Sequence, residues 1–150
     1  GREPGCPANP VSINHHRKEA AVRNRFRFEK LSVWQDARVL NRTVYRLTRG
    51  FPKHELFGMT SQIRRASVSV SSNIAEGSGR NSDRDFAHFL EQGYGSLMEV
   101  ASLMFLAWDE AYVAEKDANA LFDDIDKLAG GVAALNRSLE VKTSKTCFAR

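Results

Sequence analysis

The sequence predicts an all-α fold, an antiparallel up-down-up-down four-helix bundle, and three observations carry that prediction. Apolar residues recur at spacings of three and four over four separate stretches, the repeat of helices that each bury one face. Short turn-forming segments separate those stretches: Gly50-Phe51-Pro52, Gly77-Ser78-Gly79, and a few residues after Ala111. Connections this short make successive helices antiparallel neighbours. No stretch alternates with a period of two, so no sheet is expected.

The first helix is expected from about Lys30 to Arg49. Val33, Ala37, Leu40, Val44 and Leu47 project within about 40° of one meridian at roughly 100° per residue. Arg38, Arg42, Arg46 and Arg49 fall on the opposite side. Gly50 suits a left-handed cap and Pro52 cannot continue the hydrogen-bond ladder. The second helix is expected from about Glu55 to Glu76, with Leu56, Thr60, Ile63, Ser67, Val70 and Ile74 as its buried seam. Small residues in and beside that seam make the helix thin and allow a neighbour to approach closely.

The third helix opens at Ser82, a good N-cap, with Asp83 and Asp85 at the positive end of the dipole. Its seam is Phe86, Leu90, Gly93, Leu97, Val100, Met104 and Ala107, widened by Phe89, Ala101, Phe105 and Trp108. The fourth is expected from about Glu115 to Leu139, with Ala118, Leu121, Phe122, Ile125, Leu128, Ala129, Val132, Leu135 and Leu139 as its stripe. Gly130-Gly131 weakens it by about 1 kcal/mol per Gly relative to Ala, so packing must support it there.

The remaining segments set the domain organisation. Residues 1–25, with Pro4, Pro7 and Pro10 and no periodicity, are expected to form a disordered extension. Residues 26–140 form the bundle, and residues 141–150 are expected to be a flexible basic tail. A chain of 150 residues is long enough to bury a core without metals or disulfides. No apolar run approaches the roughly 20 residues of a membrane helix, and the opening lacks the layout of a signal peptide. Cys6 and Cys147 both lie in the expected tails, which makes no disulfide framework and fits a reducing cytoplasm.

Catalytic patterns are missing. The histidines (His15, His16, His54, His88) do not build a metal site, and no phosphate-binding loop or nucleophile elbow occurs. Gly77-Ser78-Gly79 before a helix start suits a phosphate cradle or, more simply, a cap and turn. No enzyme, cofactor, metal or small-molecule substrate is expected. The acidic set Asp117, Asp123, Asp124 and Asp126 reads as a solvated face.

Charge is what remains. The net charge of +4 hides an asymmetry: residues 17–49 hold ten Lys/Arg against three acids, and residues 91–140 hold ten acids against three bases. The Arg38/Arg42/Arg46/Arg49 stripe, with Arg64 and Arg65 on the second helix, is the candidate nucleic-acid site. Guanidinium forks donate paired hydrogen bonds to phosphate. The competing reading sets the stripe against the acidic fourth helix, within a protomer or between protomers. Gln62, Asn73, Glu76 and Arg80 are candidates for a structural polar network fixing the turn between the second and third helices. Glu76 sits where the helix dipole disfavours a carboxylate and so requires a cation such as Arg80. Phe28, Trp34, Phe86, Phe89 and Tyr94 read as core or oligomer contacts rather than base-stacking platforms.

Several stretches closely resemble one bacterial family. They are FEKLSVWQDA at Phe28–Ala37, FPKHELF at Phe51–Phe57, GMTSQIRRASVSVSSNIAEGSGR at Gly58–Arg80 and FAHFLEQGYGSLMEV at Phe86–Val100. The chain resembles the small four-helix-bundle proteins of intervening sequences in 23S ribosomal RNA genes. A relative of that family is the accessory variability protein of diversity-generating retroelements. The resemblance covers roughly residues 26 to 139. It implies a ring-shaped homopentamer, with nucleic acid (RNA or DNA) or a reverse transcriptase as partner. The expected function is a non-enzymatic oligomeric binding module associated with nucleic acid. The alternative is a structural or protein-interaction scaffold with no nucleic-acid affinity.

Overall fold

A computed structural model describes the backbone of residues 25–147 and the side chains of residues 25–140. The expected extension over residues 1–25 therefore lies almost wholly outside the described residues. Four helices follow one another: α1 (Ser32–Leu47), α2 (Met59–Ser78), α3 (Asp83–Asp109) and α4 (Glu115–Cys147). A short 3-10 turn precedes α1 and two more join it to α2. Among the described residues there is no strand.

Cross-helix pairs fix the directions. Asn41 bonds Ser71 while Thr48 bonds Arg64, so α1 and α2 run antiparallel. Ser69 meets Ser96 while Gly77 meets Phe86, so α2 and α3 do too. Asp36 meets Lys127 while Arg46 meets Asp117, closing α4 antiparallel against α1. The result is a four-cornered bundle in chain order, as the alternating stripes and short turns predict.

The stripes meet at the centre. Ala37, Leu40 and Val44 from α1, Ile63, Val70 and Ile74 from α2, Leu90, Leu97, Val100 and Met104 from α3, and Leu121 and Leu128 from α4 are fully buried. Each large aliphatic side chain removed from water contributes about 1.5–3 kcal/mol. Ser67 and Ser78 are buried on α2 without an unmet donor, because their hydroxyls donate to the carbonyls of Arg64 and Ala75. The thin second helix thus costs little in buried polarity, and it lets α3 come close. A Cβ added to Gly77 would lie 2.7 Å from both Phe86 Cδ2 and Phe89 Cβ. Only glycine fits this contact.

Three expectations change. Leu56 is about half exposed rather than part of the α2 seam. Pro52 starts a 3-10 turn over Lys53–Glu55, and the helix begins only at Met59. Glu55 then caps it, its carboxylate accepting from the Met59 N–H at 2.9 Å. Leu56 precedes the helix, so helical phase does not apply to it. The left-handed cap is not at Gly50, since no described glycine has positive φ. It is at Ala111, φ 58°, after α3. There Tyr112 N–H reaches the Ala107 carbonyl at 2.8 Å and Ala111 N–H reaches that of Trp108 at 2.9 Å, the paired bonds of a Schellman ending. Finally, α4 continues to Cys147, past the expected end near Leu139. No glycine or proline after Leu139 stops the ladder.

A left-handed Ala is strained by its Cβ. Ala111→Gly is expected to raise unfolding free energy by about 0.5–1 kcal/mol, read from the urea midpoint at constant slope. An unchanged or lowered midpoint would contradict the strain.

Next to that turn, half-buried Tyr112 points its hydroxyl at the Glu55 carboxylate, 3.4 Å away. Desolvation first, then the Glu55 and Glu110 charges and the bond to Glu55, raise its pKa above the ordinary 10.0. A phenol whose folded pKa is raised contributes stability that is fully present below the unfolded value. That stability is lost as pH rises through the folded value. Phenolate absorbance should therefore show one late-ionising tyrosine above pH 10, absent in Tyr112→Phe.

Candidate nucleic-acid interface

The amphipathic phase of α1 decides where its arginines stand. Its buried residues are Val33, Ala37, Leu40 and Val44. At roughly 100° per residue, Arg42 points most directly away from that face, Arg38 leans toward α2 and Arg46 toward α4, while Arg49 stands in the 3-10 turn Thr48–Gly50 that continues the helix. All four are exposed. Arg46 reaches Asp117 of α4 at 3.8 Å, a solvent-exposed pair of the kind worth about 0–1 kcal/mol. Arg38 lies over the Trp34 ring, 5.0 Å from its centroid. Arg42 and Arg49 have no carboxylate or aromatic partner among the described residues.

The acidic α4 therefore takes up one arginine of the stripe. Its other described link to α1 runs with the opposite polarity, Lys127 donating to Asp36 at 2.9 Å.

Arg64 and Arg65 separate in role. Arg64 is half-buried; its Nε donates to Thr48 Oγ1 at 2.7 Å and its guanidinium lies 4.9 Å from the Tyr45 ring centroid. It ties α2 to α1 and holds Tyr45. Arg65 is exposed. Both border an open groove of about 780 Å³ between the end of α1 and the outer face of α2. Tyr45, Leu56, Phe57 and Val68 are its apolar lining, and Phe57 is 91% exposed. Sequence periodicity assigned Leu56 to the core and gave Phe57 no role. The signal available was Pro52, which delays the helix and leaves both residues on an exterior turn.

The four polar candidates do not form one network. Asn73 donates to the Ser69 carbonyl and hydroxyl at 2.9 and 3.1 Å, and Ser69 shares a hydrogen bond with Ser96 of α3 at 2.9 Å. This set spans α2 and α3. Glu76 accepts from Arg80 one turn on, and Arg80 covers the Phe89 ring at 4.5 Å. That pair stands at the α2–α3 turn. Gln62 is exposed and hydrogen-bonded through its side chain to neither. Ser69 and Ser96 were not among the sequence candidates, since serines at these spacings read only as small residues.

The aromatic residues at the start of α1 pack on one another. Phe28 and Trp34 lie with centroids 4.6 Å apart, and Phe26 stacks on Phe28 at 5.5 Å. Phe105, expected to widen the α3 core face, is half exposed and stacks on Phe122 of α4 at 4.2 Å. No group of three or more His, Cys, Asp or Glu side chains able to hold a metal occurs among the described residues. No described helix is long and apolar enough to cross a membrane.

Comparison with curated proteins finds no match. The family described as 23S rRNA-intervening sequence protein matches residues 29–133, which takes in α1, α2 and α3 whole and most of α4. With the four-helix architecture, a match over more than half of the chain shows that this protein belongs to the 23S rRNA-intervening sequence protein family.

Proposed function

We propose that this chain is a non-enzymatic, oligomeric binding module of the cytoplasm that holds nucleic acid on the outward face of α1. One observation carries the proposal: Arg42 and Arg49 stand exposed beside Arg38 and Arg46, with no carboxylate of their own among the described residues. Gathering like charges on one helix face costs free energy, and a polyanion offsets it. The words 23S rRNA in the family's description favour RNA as that polyanion. A homopentameric ring, which the resemblance to the four-helix-bundle proteins implies, repeats the face around one axis and adds the fields. An accessory role beside a reverse transcriptase would use the same face.

A second reading is a protein-interaction scaffold, and Tyr94, Met98 and Phe105 favour it. They are exposed on one side of α3, within about 40° of one another on the helix. Apolar surface of this kind is typically covered by a partner or a second copy.

A salt-titrated RNA-binding assay separates the readings. Counterion release predicts that log affinity falls linearly with log salt, by roughly 0.7–0.9 per phosphate neutralised. Each stripe arginine replaced by alanine should lower that slope by about one. Affinity that is negligible at low salt, or indifferent to salt and to the arginines, leaves only the scaffold.

A further inference from the structure

We infer that the groove beside the arginine face is a site for unpaired nucleotides, so the module prefers single-stranded polynucleotide to duplex. The inference rests on the nucleic-acid reading above and adds to it which form of nucleic acid is held and where its bases go.

The groove's chemistry is twofold. Part of its lining is apolar and aromatic, with Tyr45 and Phe57 both exposed. The rest carries the cations Arg64 and Arg65, and no acidic side chain lines it among the described residues. A phosphate backbone with its bases paired inside presents only anions, and it would leave the apolar side chains wet. An unpaired strand presents both anionic phosphates and flat apolar bases. Stacking on aromatic rings or guanidinium planes is how such strands are held.

The platform is also ordered in advance. Arg64 is fixed by its 2.7 Å bond to Thr48, and it lies against the Tyr45 ring. The guanidinium covers one face of the ring and steadies it, so the ring loses little freedom when a base settles on its open side. Tyr45 lies on α1 three residues after Arg42, a spacing that makes the two neighbours on one helix face, and four residues before Arg49 in the 3-10 turn that follows. A strand with its phosphates on Arg42 and Arg49 has its bases within reach of the groove. Nothing in the bundle explains Phe57: it contributes no core packing and stands 91% exposed.

The test compares a fluorescent 20-nucleotide RNA, the DNA of the same sequence, and the duplex of each. Binding is read by anisotropy at two salt concentrations with the full chain and with Phe57→Ala. Because Phe57 is so exposed, the variant should fold and melt as the parent does. The single strands should bind about tenfold or more tighter than the duplexes. Phe57→Ala should lower single-strand affinity about tenfold, the effect of one lost stacking contact. It should leave duplex affinity and both salt slopes unchanged, since no phosphate contact is lost. Equal affinity for strand and duplex, or a Phe57→Ala variant that binds single strands like the parent, overturns the inference and leaves the arginine face standing. A variant that loses assembly mass by light scattering while keeping its RNA affinity overturns it in favour of a contact between copies. Loss of all binding by the parent chain overturns both readings together.

Discussion

Gly77→Leu is expected to destabilise the bundle by about 3 kcal/mol, the upper range for overpacking a well-filled contact. The backbone of α2 at Gly77 lies so near α3 that the first added carbon would stand 2.7 Å from two phenylalanine side chains. Phe86 is almost fully buried and cannot swing away. Phe89 carries the Arg80 guanidinium over its ring. The α2–α3 contact must therefore open, and with it the packing of Ile74 and Leu90. Gly77→Ala should cost less, about 1 kcal/mol. It suffers the same first clash but gains up to about 1 kcal/mol of helix propensity. Urea midpoints for the two variants should fall in that order. A leucine variant as stable as the parent would show that α2 and α3 are not so close.

Reversing charge at Arg42 and Arg49 together (Arg42→Glu with Arg49→Glu) should lower RNA affinity about a hundredfold or more. Each loses a charge-assisted hydrogen bond to phosphate, worth about 1.5–3 kcal/mol, and each leaves repulsion in its place. These two positions make a cleaner test than Arg46, whose reversal would set a second carboxylate against Asp117. Both are exposed and pair with nothing described in the protomer, so melting temperature should move by less than a few degrees. Light scattering on the same variant assigns the outcome. Retained assembly with lost RNA affinity supports the nucleic-acid face. Lost assembly in a chain that never bound RNA supports a contact between protomers.

How much of this could be read in advance depended on whether the deciding contact was local. The α3 seam was legible residue by residue, because Ser82 caps the helix through its hydroxyl and the four-three spacing runs unbroken to Ala107. The outward stripe of α1 was legible for the same reason, since one helix phase places Leu40 inside and Arg42 outside. Phase failed where the helix had not begun, and Leu56 moved from core to surface. Contacts between distant segments were not legible. Arg64 looked like another free guanidinium until Thr48 and Tyr45, some 16 and 19 residues earlier in the chain, came beside it. Gly77 read as the end of a helix, and its close contact with Phe86 exists only once α3 folds back. The left-handed turn at Ala111 carries neither glycine nor asparagine, so composition gave no cue to it.

Photocrosslinking of a 4-thiouridine-labelled RNA to the intact protein, followed by mapping of the modified peptides, tests the central claim most directly. Crosslinks should concentrate in the peptides of α1 and the start of α2, from Arg38 to Arg65. They should fade as salt rises. Crosslinks confined to α3 and α4, or spread evenly over the surface at every salt concentration, would contradict an RNA-binding face built on the first helix.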